Sequence, residues 1–311
     1  MKIIAVINYK GGVGKTSLTS NLGAQLAYLG HRLLLLDLDP QTSLTFSFLK
    51  PDDWHKSFAP NRTIKSWFES FAEGTSVSLD SLVYQPRRAA RALAGRGALD
   101  LISSHLGLIN VDLELATQLG GANLPQVKKN FLAVHRRLAD GVRSDKSLAA
   151  RNYDALLIDC PPNFNIVTKT AIIASDYILV PARPDYLSTL GIDYLIRSVN
   201  GLISDYNDFA GVEGGARTVK IAPKILGVVF TMIQEYGGLP IGSQRPFMDQ
   251  VRRMGGVSVF SSYIKRNDTL FAAAPQEGVP VVLNGYSNGS HQSVVDGLEA
   301  VTTEFKAAVG L

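Results

Sequence analysis

Nearly continuous runs of apolar residues recur along the chain and predict the strands of a buried sheet. The runs are Ile3–Ile7, Arg32–Asp37, Ala98–Ser104, Tyr153–Pro162, Asp176–Pro181 and Ile225–Met232. Apolar side chains follow one another in these runs and do not alternate with polar ones, which is typical of parallel strands covered on both faces.

Segments with helical periodicity lie between these runs. After Lys15, the residues Leu18, Leu22, Leu26 and Leu29 form one apolar stripe. Further helices are predicted over residues 63–71, 110–119, 124–140, 187–204, 243–255 and 290–309, and the polar stretch 140–150 predicts a surface loop. Because strands alternate with helices, we expect one three-layer α/β domain over residues 1–311, with a mostly parallel twisted sheet and helices on both faces.

The turn between the first strand and the first helix has the composition of a phosphate-binding loop. Gly11, Gly12 and Gly14 allow the backbone to approach a ligand closely, and the helix that starts at Lys15 directs its positive end toward the turn. An ordinary P-loop has glycine six residues before its lysine, where this chain has Tyr9. The sequence therefore predicts a nucleotide site of an unusual form.

The stretch KGGVGKT resembles the deviant Walker A motif of the ParA/MinD family of P-loop ATPases, in which a second lysine, here Lys10, precedes the paired glycines. The resemblance implies a P-loop NTPase fold with ATP and Mg²⁺ as cofactors. It also implies nucleotide contacts from Lys10, Gly11, Gly12, Val13, Gly14, Lys15, Thr16 and Ser17. In this family the second lysine crosses a dimer interface to the partner's ATP, so Lys10 is expected to act in a homodimer that encloses two ATP molecules.

Acidic residues follow two of the predicted strands. Asp37 and Asp39 belong to the sequence DLDPQ, and Asp159 ends the apolar run LLID in the manner of a Walker B motif. The resemblance implies a magnesium site formed by Thr16, Asp37, Asp39 and Asp159, and a catalytic set of Lys10, Lys15 and Asp39, with Asp39 orienting the attacking water. A single aspartate after a strand is often only a helix cap.

Composition and charge exclude several classes of protein. The chain has 311 residues, 46% of them hydrophobic and 19% charged, which is ordinary for a globular domain. Its single cysteine, Cys160, excludes internal disulfides and a cysteine-held iron–sulfur cluster, and fits the cytoplasm. No apolar run has membrane-spanning length, and no leader segment is expected. The C-terminal helix has acidic residues on its polar face, so packing against the body is expected, without membrane contact.

Two basic segments are candidates for contact with a polyanion, and the formal net charge of +4 permits such a partner without requiring one. The first comprises Arg245, Arg252, Arg253, Lys265 and Arg266. The sequence favours neither of two interpretations of this cluster, a surface that binds DNA nonspecifically or an ordinary solvated face. Tyr236 and Thr269 occupy positions where the family often has a DNA-contacting arginine, which weakens that expectation. The second is residues 85–97, with several arginines and no acid, where a solvated loop is favoured over a polyanion face.

The sequence thus favours a cytoplasmic ParA-type ATPase that hydrolyses ATP to ADP and phosphate for DNA partition or cargo positioning. Its expected partners are a second copy, nonspecific DNA and a ParB-like stimulating protein. Two alternatives stay open: an ATP-switched protein that positions a protein assembly without DNA contact, and a metabolic P-loop phosphotransferase.

Overall fold

The computed structural model describes residues 1–72, 75, 77–212, 219–286 and 288–311. Its centre is a six-stranded parallel sheet with strand order β3-β2-β4-β1-β5-β6. The strands are β1 (Lys2–Val6), β2 (Arg32–Asp37), β3 (Ala98–Ile102), β4 (Ala155–Asp159), β5 (Tyr177–Ala182) and β6 (Lys224–Phe230). All six predicted strands and the parallel three-layer architecture are confirmed.

Helices cover both faces of this sheet. They are α1 (Lys15–Tyr28), α2 (Ser43–Phe46), α3 (Pro51–Ser57), α4 (Ile64–Ala72), α5 (Arg87–Leu93), α6 (Leu108–Thr117), α7 (Leu124–Ser144), α8 (Lys146–Ala150), α9 (Ile166–Ala174), α10 (Tyr186–Val212), α11 (Arg245–Arg252), α12 (Asp268–Glu277) and α13 (Gly289–Val309). A short antiparallel hairpin, β7 (Glu235–Tyr236) and β8 (Leu239–Pro240), follows the sixth strand.

The core consists of two apolar layers, one on each side of the sheet. Along β1, Ile3 and Ala5 point into the layer that includes α4, α6, α7, α9 and α10, whereas Ile4 and Val6 point into the layer formed with α1, α5, α12 and α13. Successive side chains of a strand face opposite sides. Both sides are buried here, which explains why the strand sequences are apolar at nearly every position.

The C-terminal helix α13 packs against the body of the protein, as the sequence predicted. Its apolar stripe is buried: Val294, Val295, Leu298, Val301 and Phe305. Within the ranges described above, we find no helix with the length and apolar character needed to cross a bilayer.

Two predicted loops are helical in the structure. Residues 85–97, expected to be a solvated loop, contain α5, because Ala89 and Leu93 are buried on one side of a short amphipathic helix. The stretch 140–150 was expected to be a surface loop. There α7 continues to Ser144 and α8 begins after Asp145, whose side chain accepts a hydrogen bond from the Leu148 backbone. The helices α2, α3, α9 and α12 and the β7–β8 hairpin also lacked a sequence prediction.

Candidate functional site

The glycine-rich turn lies where β1 passes into α1, at the carboxyl edge of the sheet. Gly12 and Gly14 have φ angles of 68° and 79°, a region that side chains with a Cβ rarely adopt. The turn is held from two sides: Thr231 Oγ1 donates to Val13 O at 2.8 Å, and the Lys10 backbone N–H donates to Asn8 Oδ1 at 3.0 Å. These contacts fix the conformation of the turn.

Lys15 is the buried cation of the site. Its side chain is almost fully buried, and its one hydrogen bond to a described residue is a long one, 3.3 Å from Nζ to Lys10 O. Burial lowers the pKa of Lys15, while the negative charges of Asp159 and Asp39 oppose that shift. An ammonium group with no directly bonded carboxylate and with donors to spare is suited to binding an anion.

Thr16 and Asp159 form a pair beside this lysine. Thr16 Oγ1 donates to Asp159 Oδ2 at 2.7 Å, whereas Asp159 Oδ1 is buried without a hydrogen-bond partner. Burial raises the pKa of Asp159 to about 7, against the opposing effects of Thr16 and Lys15. In nucleotide sites Mg²⁺ takes only one or two ligands from the protein, and water and phosphate supply the others. The Thr16 hydroxyl and the Asp159 carboxylate oxygen without a partner fit such a site. Among the described residues we find no group of three or more His, Cys, Asp or Glu side chains suited to a metal.

Asp37 and Asp39 have different positions. Asp37 lies opposite Asp159 in the β2–β4 pairing and is fully buried. Its Oδ2 accepts from both the N–H and the hydroxyl of Thr45, and its Oδ1 accepts from the Asp39 N–H. Burial, followed by the charge of Asp159, raises the pKa of Asp37 well above its ordinary value. The geometry thus assigns Asp37 to supporting the Asp39 backbone and α2. The Mg²⁺ contact predicted for Asp37 stays a prediction.

The glycine-rich turn and Asp39 border an open depression of about 630 Å³. The lining brings together Gly11, Gly12, Gly14, Lys15, Thr16, Ser17 and Asp39 of the predicted set with Gln41, Ser43, Phe46, Ser47, Pro162, Met232 and Pro275. Val13, also predicted, is buried beneath the turn. Met232 has a φ of 56° and is held by a hydrogen bond from Gln244 Nε2 to its carbonyl oxygen. A strained, non-glycine residue at the edge of a pocket is typical of ligand sites.

Lys10 does not belong to that lining. Its ammonium group pairs with Asp185 Oδ1 at 2.7 Å, and both side chains are about one third exposed. Asp185 Oδ1 also accepts from the Ser188 N–H in the first turn of α10. Burial alone would raise the pKa of Asp185, but the hydrogen bonds from Lys10 and Ser188 hold it below the ordinary value. The two lysines of the turn therefore face different environments.

An apolar strip lies beside Lys10 on the first turns of α10. It consists of Tyr186, Leu187, Leu190 and Tyr194, each at least 48% exposed. The ring of Tyr9, from the turn itself, lies 5.3 Å from the ring of Tyr194. We call these four residues of α10 the apolar strip. Contiguous exposed apolar surface next to a binding site is typical of a protein contact.

The predicted DNA cluster is more neutralised than its sequence indicated. Arg252 pairs with Asp249, Lys265 with Glu235 and Arg266 with Asp268. Asp249 and Asp268 are close to the cluster in sequence, whereas Glu235 belongs to the β7–β8 hairpin and reaches Lys265 through the fold. Tyr236 is 87% exposed at that hairpin, and Thr269 is exposed in the first turn of α12.

A parallel sheet with a glycine-rich turn, a buried lysine and a Walker B-type aspartate at one edge defines a P-loop nucleotide-binding domain. A family model described as an AAA domain matches residues 1–210. This match shows that the chain belongs to that AAA-domain family, and the relatives given next identify it as a ParA/MinD-type member.

Similar proteins cover almost the whole chain. The sporulation initiation inhibitor protein Soj of Bacillus subtilis is 29% identical over 285 residues, which is 91% of this chain and 90% of Soj. The chromosome partitioning protein ParA of Caulobacter vibrioides is 28% identical over 284 residues, 91% of this chain and 87% of that protein. An ATP complex of a McdA variant from Cyanothece is 21% identical, with a TM-score of 0.69 over 100% of this chain and 97% of that one, and supports the fold.

Proposed function

We propose that this protein is a ParA-type ATPase that binds Mg-ATP, forms a face-to-face dimer around two ATP molecules and hydrolyses them slowly until a partner protein stimulates it. In the ATP state the dimer binds DNA without sequence preference, and the cycle partitions DNA or positions a cargo in the cytoplasm. The observation that carries the proposal is the division between the two lysines: Lys15 is buried in the pocket, while Lys10 faces outward and pairs with Asp185.

Four side chains in and beside the depression have roles in this proposal: Lys15, Thr16, Asp39 and Asp159. Lys15 and the backbone N–H groups of the turn bind the phosphates, with the positive end of α1 behind them. Thr16 and Asp159 hold the magnesium ion, which would neutralise charge on the phosphate oxygens. Asp39 borders the depression and orients the attacking water.

Lys10 completes the site of a second copy. It leaves Asp185 and reaches the phosphates across the interface, which places a cation where negative charge develops during transfer, as an arginine finger does. The apolar strip and Tyr9 support this interface, because a second copy would cover exposed apolar surface next to Lys10.

The test is gel filtration of D39A with and without ATP. If Asp39 orients water, the variant keeps its nucleotide and should elute as a stable dimer only when ATP is present. K15A is the matched control, because it removes the buried cation and should stay monomeric under the same conditions. A monomer of D39A at saturating ATP would count decisively against the sandwich.

An ATP-switched positioning protein without DNA contact is the second candidate. It is favoured by the three ion pairs in the predicted DNA cluster and by Tyr236 and Thr269 at positions where the family often has arginine. Salt-sensitive, ATP-dependent retention of the protein on duplex DNA separates the two candidates. A metabolic phosphotransferase would instead yield a phosphorylated product in place of free phosphate.

A further inference from the structure

Helix α5 presents arginines to solvent from its outer face. Ala89 and Leu93 are buried against α1 and β3, whereas Arg87, Arg88 and Arg91 are exposed. Residues four apart lie on the same side of a helix, so Arg87 and Arg91 form a row, with Arg88 beside them. Arg96 lies just after the end of α5, and its guanidinium carbon is 3.9 Å from the centre of the Tyr28 ring. We call these four arginines the α5 arginine face.

The charge of this face is not compensated locally. From residue 81 to residue 99 the chain contains no aspartate or glutamate. Among the described residues, none of the four arginines has a carboxylate within ion-pair distance, and Arg88 donates instead to the backbone oxygen of Glu277. In the predicted C-terminal cluster, by contrast, three of the five cations are paired with acids. Of the two basic segments, the one on α5 therefore has the less compensated positive charge among the described residues.

The composition of the face fits phosphate better than a protein surface. Its other exposed residues are Gln85, Ala94 and Gly95, so it lacks the large apolar side chains that form the centre of most protein interfaces. A guanidinium fork matches phosphate oxygens in a bidentate way. Arg87 and Arg91 are one helical turn apart, about 6 Å along the axis. A DNA strand carries one phosphate per about 3.4 Å of axis, so both arginines can meet the same backbone.

We propose that the α5 arginine face binds the phosphate backbone of duplex DNA. This inference rests on the proposed function, in which DNA binding belongs to the ATP state, and it moves the main contact surface from the predicted C-terminal cluster to α5. The face is joined to the nucleotide site through Arg88, whose Nη1 donates to Glu277 O at 2.8 Å at the end of α12. Pro275 of the same helix lines the depression beside the glycine-rich turn.

The test measures the salt dependence of DNA binding by anisotropy of a labelled mixed-sequence duplex, with D39A and ATP as the parent. Adding R87A and R91A should make the slope of log K against log salt shallower by about 1.8 for each protomer in contact, since each lost phosphate contact removes about 0.9. Affinity at physiological salt should fall by at least about tenfold. Adding R245A and R253A removes an equal charge from two arginines of the other cluster that form no ion pair with a described residue, and it should leave the slope unchanged.

Two further measurements keep the result interpretable. Alanine is the best helix former, so α5 should persist, and a thermal unfolding curve checks this. The lysine pair R87K and R91K retains the charge and should restore the slope. The inference would be overturned if the R87A and R91A variant had the same salt slope as the parent. It would also be overturned if the R245A and R253A variant lost DNA binding.

Failure of the inference and failure of the proposed function give different results. If the parent is an ATP-dependent dimer by gel filtration but binds no DNA, the α5 inference fails while the ATP sandwich stands. If the parent is a monomer whose DNA binding still depends on Arg87 and Arg91, the surface stands and the sandwich fails.

Discussion

The substitution D185N tests whether the pair between Lys10 and Asp185 opposes dimer formation. Asparagine can still accept the Ser188 N–H at the start of α10, since it is as good an N-cap as aspartate. The variant therefore removes the negative charge and leaves the cap. If Lys10 must leave Asp185 to reach the partner's phosphates, the variant should dimerise more readily than the wild type.

The size of the effect follows from exposure. The two side chains are 33% and 35% exposed, so the pair contributes only about 0.2–1 kcal/mol after screening by solvent. A dimer contains two such pairs, which gives up to about 2 kcal/mol. Because 1.4 kcal/mol is tenfold, the dimer dissociation constant should tighten by about 2- to 30-fold. The gain should shrink as salt concentration rises.

The assay is sedimentation equilibrium in ATP, with D39A as the parent to prevent turnover. D193N is the matched control, since Asp193 pairs with Arg197 on the same helix at an exposed site. The pKa of Asp185 is lowered, so the stabilisation from its pair is present above the ordinary carboxylate pKa and is lost as pH falls through the lower folded value. The advantage of D185N should therefore disappear only in acid. A weaker dimer in D185N would refute the reasoning and mean that Asp185 receives a lysine from the partner.

Three more predictions concern single residues of the site. K10A should bind ATP with nearly wild-type affinity but turn over about 10³-fold more slowly, as when an arginine finger is lost; unchanged turnover in a phosphate-release assay would exclude the role in trans. G14A forces a Cβ into a φ of 79° and should lower the free energy of unfolding by about 1–2 kcal/mol in urea titrations. G201A, in α10 with open space around it, should instead raise that free energy by up to about 1 kcal/mol. Because the pKa of Asp159 is raised to about 7 in the free protein, a cation bound beside it should expel its proton. When Mg-ATP binds, the wild type should therefore release about half a proton more than D159N at pH 7, and almost none more at about pH 8.5. Calorimetry in buffers of different ionisation enthalpy measures this proton release. Equal release by both proteins would show that Asp159 is already ionised.

The sheet and the glycine-rich turn were predictable because their signals are local. Each strand is buried on both faces and therefore apolar throughout, as the split of Ile3 and Ile4 between the two core layers shows. Gly12 and Gly14 adopt backbone angles that reserve their positions for glycine.

Other parts of the site depend on the folded topology. Asp185 is 175 residues from Lys10, and Thr231 is 218 residues from Val13, yet both reach the turn because parallel strands end at the same edge of the sheet. Sequence spacing does not contain that information. Short helices were missed for a different reason: α5 needs only Ala89 and Leu93 to be buried, and its arginines give the segment the composition of a loop.

The charges of the pocket give a physical reason for a second copy. Asp37, Asp39 and Asp159 lie near one buried cation, Lys15, and the raised pKa values of Asp37 and Asp159 show that burial there disfavours negative charge. A triphosphate would add more negative charge to this environment. The turn amides and a magnesium ion offset part of that charge, but Lys10 of the same chain is directed outward to Asp185. In the proposed function, we infer that one chain alone would supply too little positive charge to the transferring phosphoryl group. The lysine of a neighbouring copy would supply the rest and so couple hydrolysis to assembly.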